Sequence, residues 1–140
     1  MKGLLKKFRE NKKGFTLAEL LVVVAIVAIL VAISVPIFTT QLGKARRATN
    51  QANMRAAKVA AISQYLTDGH DGEKTYVYSI EAGTVTVATD SFKKDDYKIK
   101  TIDEAATDKV YDSIAVAVEV KAASSTSKDG DATVVKILVK

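Results

Sequence analysis

One carboxylate, Glu19, lies inside a segment that would otherwise suit the interior of a membrane. Residues 15–38 are apolar apart from Thr16, Glu19, Ser34 and Pro36. An acid at the middle of a bilayer costs about 2.5 to 3.5 kcal/mol, and less near the interface. The chemistry available at this position is electrostatic, and the sequence predicts that Glu19 needs a cationic partner.

No other group of residues predicts a catalytic or metal site. His70 lies in the turn sequence DGHDGE, where a lone histidine is usually solvated. Residues 128–131, KDGD, resemble a fragment of a calcium loop, but a full loop needs more oxygen ligands at set spacing. The chain has no cysteine, which excludes disulfides, zinc–thiolate sites and cysteine nucleophiles. We therefore expect no enzymatic activity, no cofactor and no metal.

The positive charge of the chain is confined to segments. Residues 1–14 carry six basic side chains and one acidic side chain, which accounts for the whole net charge of +5. A second group, the helix basic patch, contains no acid: Lys44, Arg46, Arg47, Arg55 and Lys58. This patch could bind nucleic-acid phosphates. Its place just past the apolar segment favours lipid head groups or the acids of neighbouring heads, because residues 59–140 have a net charge of −4.

The elements that position these residues follow from the spacing of apolar side chains. Residues 15–38 are apolar on every side and, at about 1.5 Å per residue, long enough to span a ~30 Å hydrocarbon core as a helix. Beyond Pro36, steps of three and four predict an amphipathic continuation that ends at Asp68-Gly69. The predicted buried face consists of Phe38, Leu42, Ala45, Thr49, Ala52, Ala56, Val59, Ser63 and Leu66.

After the helix the apolar period shifts towards two, which predicts strands. Strands are expected at residues 84–88, 97–102, 114–120 and 134–139, with a short one at 75–79, a capped helical turn at 103–106 and a polar loop at 122–133. The one strongly apolar face of 114–120 predicts an antiparallel sheet laid on the amphipathic helix, hence an α+β fold with about four strands. Four tyrosines are expected in the sheet or core: Tyr76, Tyr78, Tyr97 and Tyr111.

The residues alone leave three interpretations of the apolar segment open. A secretory signal peptide would end in a cleavage site of small residues, and no clear A-x-A site follows. A single-span anchor of a membrane-bound binding module fits the length, but it leaves Glu19 without a partner. The buried helix of a soluble core is disfavoured by the same unpaired acid.

The segment KKGFTLAELLVVVAIVAILVAISVPIF resembles the start of type IV pilins and of their pseudopilin relatives. The matching elements, within about residues 12–47, are Gly14, Phe15, Thr16-Leu17, Glu19, the apolar run and Pro36. The resemblance implies a class III signal peptide that prepilin peptidase cleaves between Gly14 and Phe15, followed by N-methylation of Phe15. It also implies that Glu19 meets the amino-terminal cation of a neighbouring subunit during assembly.

Pro36 has a place in the same resemblance. In assembled filaments of the family, the segment before this proline can lose helicity and lengthen the subunit. Many relatives carry a glycine eight residues before the proline, where this chain has Ala28. Because alanine favours helix by about 1 kcal/mol over glycine, any melted stretch is expected to be short.

The resemblance implies three segments: a leader at 1–14, an apolar transmembrane and filament-core helix at 15–42, and a globular head at 43–140. The expected function is that of a structural subunit that forms an extracellular filament for motility, adhesion or DNA uptake, after a stage as a single-pass precursor in the cytoplasmic membrane. The expected partners are further copies of the chain, prepilin peptidase and the pilus assembly machinery. The alternatives are a pseudopilin of a type II secretion or competence machine and a membrane-anchored binding module.

Overall fold

The computed structural model describes residues 16–69, 72–121 and 132–140. The leader at 1–14, Phe15, His70 and the calcium-like stretch at 128–131 lie outside the described residues. The chain divides into two units, Met1–Gln41 and Leu42–Lys140. One helix, α1 (Leu17–Asp68), contributes residues to both units.

The first unit consists, in its described part, of the beginning of α1. Every residue from Thr16 to Gln41 is exposed. An 18-residue window of the helix has a mean hydropathy of 3.2, so by length and composition α1 can cross a membrane. Because this segment is apolar on every side, water is a poor environment for it, and it requires lipid or other protein around it.

The second unit forms, among the described residues, one antiparallel sheet of five strands in the order β2-β1-β4-β5-β3. The strands are β1 (Lys74–Ser79), β2 (Thr84–Val87), β3 (Lys98–Ile99), β4 (Ile114–Lys121) and β5 (Ala132–Val139). Two short 3-10 turns, Lys94–Asp96 and Ile102–Glu104, flank β3 in the chain. The α+β fold class is confirmed, and the five strands correspond to the four expected and to the short one expected at 75–79.

The strand predicted at residues 97–102 is shorter than expected, because its end forms the 3-10 turn Ile102–Glu104. A capping box closes this turn: the Thr101 backbone N–H donates to Oε2 of Glu104 at 3.0 Å. This backbone hydrogen bond, with the Thr101 side chain, holds the pKa of the Glu104 carboxyl below its usual range. The predicted capped turn is confirmed, one residue earlier than expected.

The main core of the second unit lies between α1 and one face of the sheet. The helix contributes Met54, Ala57, Ala61 and Tyr65, and β4 contributes Ile114, Val116 and Val118. Ala115 and Ala117 point to the other face, where they cluster with Leu138. The period of two predicted for residues 114–120 is therefore confirmed for the residues whose burial is described.

The predicted buried face of the helix is wrong. In the second unit the buried helix residues are Asn50, Met54, Ala57, Ala61 and Tyr65. At about 100° per residue they lie on the side opposite the predicted face. Both sides carry small and apolar residues, and the buried side also includes an asparagine and a tyrosine, whose polar groups are satisfied by hydrogen bonds. Apolar spacing alone therefore selected the wrong side.

The outer face of the sheet is covered by the connection between β2 and β4. Phe92 and Tyr97 from this connection pack on Ala115, Ala117 and Leu138, with ring centroids 4.8 Å apart. Tyr76, Tyr78 and Tyr111 are buried, and Tyr97 is partly buried. The prediction that these four tyrosines belong to the sheet or core is confirmed.

Helix α1 ends at Asp68 as predicted, and Gly69 follows with a φ of +85°. The Tyr76 hydroxyl donates to Oδ2 of Asp68 at 3.0 Å and so joins β1 to the helix end. Burial, reinforced by the Asp68 carboxylate, raises the pKa of Tyr76 to about 12. Both effects disfavour the phenolate, so the contact requires a protonated tyrosine.

We expect this contact to weaken in alkali. The folded-state pKa of Tyr76, about 12, lies above the unfolded value of 10.0, so its contribution is complete below pH 10 and is lost as the pH rises to 12. At about 1.4 kcal/mol per pKa unit, the loss is about 2 to 3 kcal/mol. Thermal unfolding followed between pH 9 and 12 should show a shallower decline for Tyr76→Phe than for wild type. Equal declines would contradict the assignment.

Candidate assembly site

The start of helix α1 is closed by a reciprocal pair of hydrogen bonds. The Thr16 backbone N–H donates to Oε2 of Glu19 at 3.0 Å, and the Glu19 backbone N–H donates to Oγ1 of Thr16 at 3.3 Å. This arrangement is a capping box with Thr16 as the N-cap and Glu19 as the third helical residue.

The capping box gives Glu19 a local partner that sequence reasoning missed, although Thr-Leu-Ala-Glu matches the S/T-x-x-E signature. The bond uses one carboxylate oxygen. Within the described part of the chain, Oε1 of Glu19 makes no hydrogen bond. Since one carboxylate can accept several hydrogen bonds, Glu19 can cap its own helix and still receive a cation.

Pro36 lies within an uninterrupted helix. Proline has no backbone N–H, so the carbonyl four residues earlier loses its usual donor. The Pro36 carbonyl accepts side-chain bonds from Thr39 Oγ1 at 3.0 Å and from Thr40 Oγ1 at 2.9 Å. Ser34 Oγ donates to the Leu30 carbonyl at 2.7 Å. Hydroxyl groups on both sides of the proline therefore find acceptors within the helix, as suits an apolar surrounding.

The side of α1 that faces away from the sheet in the second unit remains uncovered. Leu42, Val59 and Leu66 are 37%, 68% and 61% exposed. They belong to an exposed helix stripe whose members recur at alternating steps of three and four: Leu42, Ala45, Thr49, Ala52, Ala56, Val59, Ser63 and Leu66. This spacing is that of a coiled-coil seam, so the stripe is suited to contact with another helix.

The comparisons with known proteins bear on the start of this helix. Residues 9–35 match the family model described as the prokaryotic N-terminal methylation motif. The chain carries the class III signal peptide of type IV pilins. The motif indicates a type IV pilin-like or pseudopilin-like prepilin, and the long apolar helix fits a membrane-anchored precursor. No curated protein and no solved structure shows significant similarity to the chain.

The structure describes two of the four residues predicted to act in processing and assembly. Glu19 lies inside the matched segment and Pro36 one residue beyond it. Gly14 and Phe15 also lie inside the match but outside the described residues, so cleavage and methylation there stay predictions. The motif itself implies a substrate of prepilin peptidase that enters pilus assembly, and it suggests a structural subunit rather than an enzyme.

The described residues offer no metal site: residues 16–69, 72–121 and 132–140 contain no group of three or more His, Cys, Asp or Glu side chains placed to hold an ion. His70 and the calcium-like stretch at 128–131 fall outside these ranges. Their predicted lack of a ligand role therefore stays a prediction.

Part of the helix basic patch makes hydrogen bonds within the second unit. Arg46 donates from Nη1 to the carbonyl of Asp108, and Arg47 donates from Nη2 to the carbonyl of Asp103 at 2.9 Å. Both carbonyls belong to the connection before β4, which these arginines fasten to the helix. Lys44 and Arg55 remain exposed. The helix basic patch therefore divides into two structural arginines and a smaller exposed group.

Asn50 makes three hydrogen bonds to the connection before β4. Sequence reasoning missed this residue. Its side chain is fully buried. Nδ2 donates to the carbonyls of Ala106 at 3.0 Å and Lys109 at 2.9 Å, and Oδ1 accepts from the Tyr111 backbone N–H at 3.0 Å. The Ala106 backbone N–H also donates to the Tyr111 hydroxyl at 2.9 Å. A buried polar side chain with all these bonds fixes the connection against the helix.

Proposed function

We propose that the prepilin is a structural subunit that is cleaved between Gly14 and Phe15, N-methylated at Phe15 and polymerised through its N-terminal helix into a surface filament. The observation that most supports this is a helix that begins inside a methylation motif and is apolar and exposed over its first part. Such a helix is stable in lipid or in a bundle of similar helices. Polymerisation would transfer it from the first environment to the second.

Glu19 would set the stagger between neighbouring subunits during this transfer. Cleavage creates a new ammonium group on Phe15. At a distance of about 4 Å and an effective dielectric of 20, this ammonium and the Glu19 carboxylate would attract each other by about 4 kcal/mol. A buried Glu19 without such a partner would be penalised. The described geometry leaves Oε1 of Glu19 available for such a cation while Oε2 caps the helix. A helix bundle would then be favoured only at the stagger that joins Glu19 of one subunit to Phe15 of another.

The exposed helix stripe would extend the subunit contact into the head. It lies on the helix side that the sheet does not cover, and its small residues at Ala45, Ala52 and Ala56 let another helix approach closely. A contact between two different surfaces of successive subunits generates an open helical filament when its rotation does not close into a ring. A pseudopilin would use the same contact between subunits in shorter, scarcer filaments.

The test is the composition of filaments sheared from cells that express the chain. We expect electron microscopy to show long filaments, and mass spectrometry of their main subunit to give a chain that starts at Phe15 and carries a methyl group. An uncut chain in filaments, or a mature terminus near Ser34, would contradict the proposal. Short filaments of low yield would favour the pseudopilin, and a chain that stays monomeric in membranes would favour the anchored binding module.

A further inference from the structure

Two clefts of the second unit share Lys100, and each has several lysines in its lining. The first has a volume of about 310 Å³, and its charged lining consists of Lys98, Lys100, Lys109 and Lys140 with Asp96 and Asp108. The second, of about 340 Å³, shares Lys100 and adds Lys58, Lys136 and Asp103. These two concavities, the lysine clefts, lie at the β3 edge of the sheet.

The linings of the lysine clefts carry more positive than negative charge, although Lys100 and Lys136 also interact electrostatically with the carboxylates of Glu104 and Glu73 outside the linings. Lys140 Nζ lies 3.7 Å from Oδ2 of Asp96, and both side chains are about half exposed. The other five lysines form no ion pair within the described part of the chain. Six lysines against three aspartates give the clefts a charge of +3, although residues 59–140 as a whole carry −4. Concave surfaces of one sign concentrate the field and attract counterions.

The backbone holds the lysine clefts in place. Lys98 pairs with Val139 across the β3–β5 ladder, and the Lys100 backbone N–H donates to the Ile137 carbonyl at 3.0 Å. Lys98 lies in β3 and Lys100 follows the last residue of that strand, and both line the first cleft. Lys109 lies in the connection that Asn50 fastens through the Lys109 carbonyl. The ammonium groups are therefore carried by positions that are fixed before any ligand arrives.

We propose that the lysine clefts bind the phosphodiester backbone of a nucleic acid without reading its sequence. Two clefts that share a lysine suit a ligand with several charges in a row. Lysine binds phosphate as a point charge, without the paired and directional bonds that arginine makes to carboxylates and phosphates. No arginine lines either cleft in the described chain. Contacts to phosphates position a protein on nucleic acid but carry no sequence information.

This site differs from the helix basic patch, with which it shares only Lys58. It also does not depend on polymerisation, because all of its lining residues belong to the second unit of a single chain. Binding and filament formation can therefore be tested separately on the same protein.

The test uses the full-length prepilin in non-ionic detergent and a fluorescein-labelled 20-base-pair DNA duplex, with binding measured by anisotropy over a series of KCl concentrations. We expect the double variant Lys98→Gln/Lys100→Gln to bind about tenfold more weakly at about 50 mM salt. The slope of log K against log salt should fall by about 1 to 2, since each phosphate contact contributes about 0.9. A duplex of unrelated sequence should bind equally well.

Matched variants separate the clefts from net charge. Lys44→Gln/Arg55→Gln also removes two charges, but from exposed helix positions outside the clefts, and should change the affinity less than twofold. Asp96→Asn/Asp108→Asn should tighten binding, because it removes two repelling carboxylates from the first cleft. The proposal would be overturned if Lys98→Gln/Lys100→Gln and Lys44→Gln/Arg55→Gln lost DNA affinity equally, or if neither lost any. Binding of poly-glutamate as tight as that of DNA at the same salt concentration would also overturn it.

Discussion

Glu19→Gln is expected to abolish or strongly slow filament assembly while membrane insertion and leader cleavage continue. Glutamine keeps the side-chain length and an amide oxygen that can accept the Thr16 backbone N–H, so the capping box persists. What it removes is the charge. The ammonium on Phe15 would then enter the helix bundle without a counter-charge, and breaking one side of a buried pair typically costs about 3 to 5 kcal/mol. At 1.4 kcal/mol per factor of ten, that is more than about a hundredfold in the affinity of each added subunit.

The measurement is the yield of filaments relative to processed, membrane-bound subunit. Three further samples serve as controls. Glu19→Ala loses both charge and cap, and should also fail, although its insertion should be easier because a carboxylate has left the apolar segment. Thr16→Ala weakens the cap by about 0.5 to 2 kcal/mol but keeps the charge, so it should still assemble. A mixture of Glu19→Ala and wild-type chains should partly restore incorporation, because each contact needs one carboxylate and one amine from different subunits.

The capping box makes this comparison decisive. If Glu19→Gln forms normal filaments while Thr16→Ala does not, the role of Glu19 is to start the helix, and subunit register comes from elsewhere. If only the charge-removing variants fail, the pairing with Phe15 is supported. Alanine alone could not have separated these roles, because it removes both at once.

Much of the architecture could be predicted from the sequence, because it depends on patterns that are local. The apolar run of the first unit, the helix end at Asp68-Gly69 and the alternation of Ile114, Val116 and Val118 each follow from the period of apolar residues. The motif around Glu19 was also recognisable, and residues 9–35 match the methylation motif. These features need no knowledge of what lies opposite them in the fold.

The features that sequence reasoning missed are set by residues distant in the chain. Asn50 is a poor candidate for a core position until its partners, about 60 residues later, are known. Steps of three and four alone favour the stripe of mostly small residues as the buried face, and the structure leaves that stripe exposed. The lysine clefts likewise combine residues of α1, β3, β5 and the connection before β4, which no segment of sequence brings together.

Asn50→Ala is expected to destabilise the head by about 3 to 5 kcal/mol, a large share of the 5 to 15 kcal/mol that is typical of a folded domain. The substitution removes three hydrogen bonds and leaves the carbonyls of Ala106 and Lys109 and the N–H of Tyr111 without their partner. Each buried group that loses its partner costs about 1 to 3 kcal/mol, less where water can enter. Asn50→Asp should be at least as harmful, because it places a carboxylate against two carbonyl oxygens.

Asn53→Ala provides the matched control, because Asn53 is on the same helix, is half-buried and makes no hydrogen bond through its side chain within the described chain. Its effect should stay within about 0.5 kcal/mol. Thermal unfolding of the full-length variants in detergent, followed by the near-ultraviolet circular dichroism of the buried tyrosines, compares them directly. Because Asn50 also fastens the connection that carries Lys109, DNA binding by Asn50→Ala should weaken below its unfolding temperature, whereas Asn53→Ala should bind as wild type does. Equal unfolding temperatures for the two variants would mean that the arginine contacts and the sheet hold the connection without Asn50.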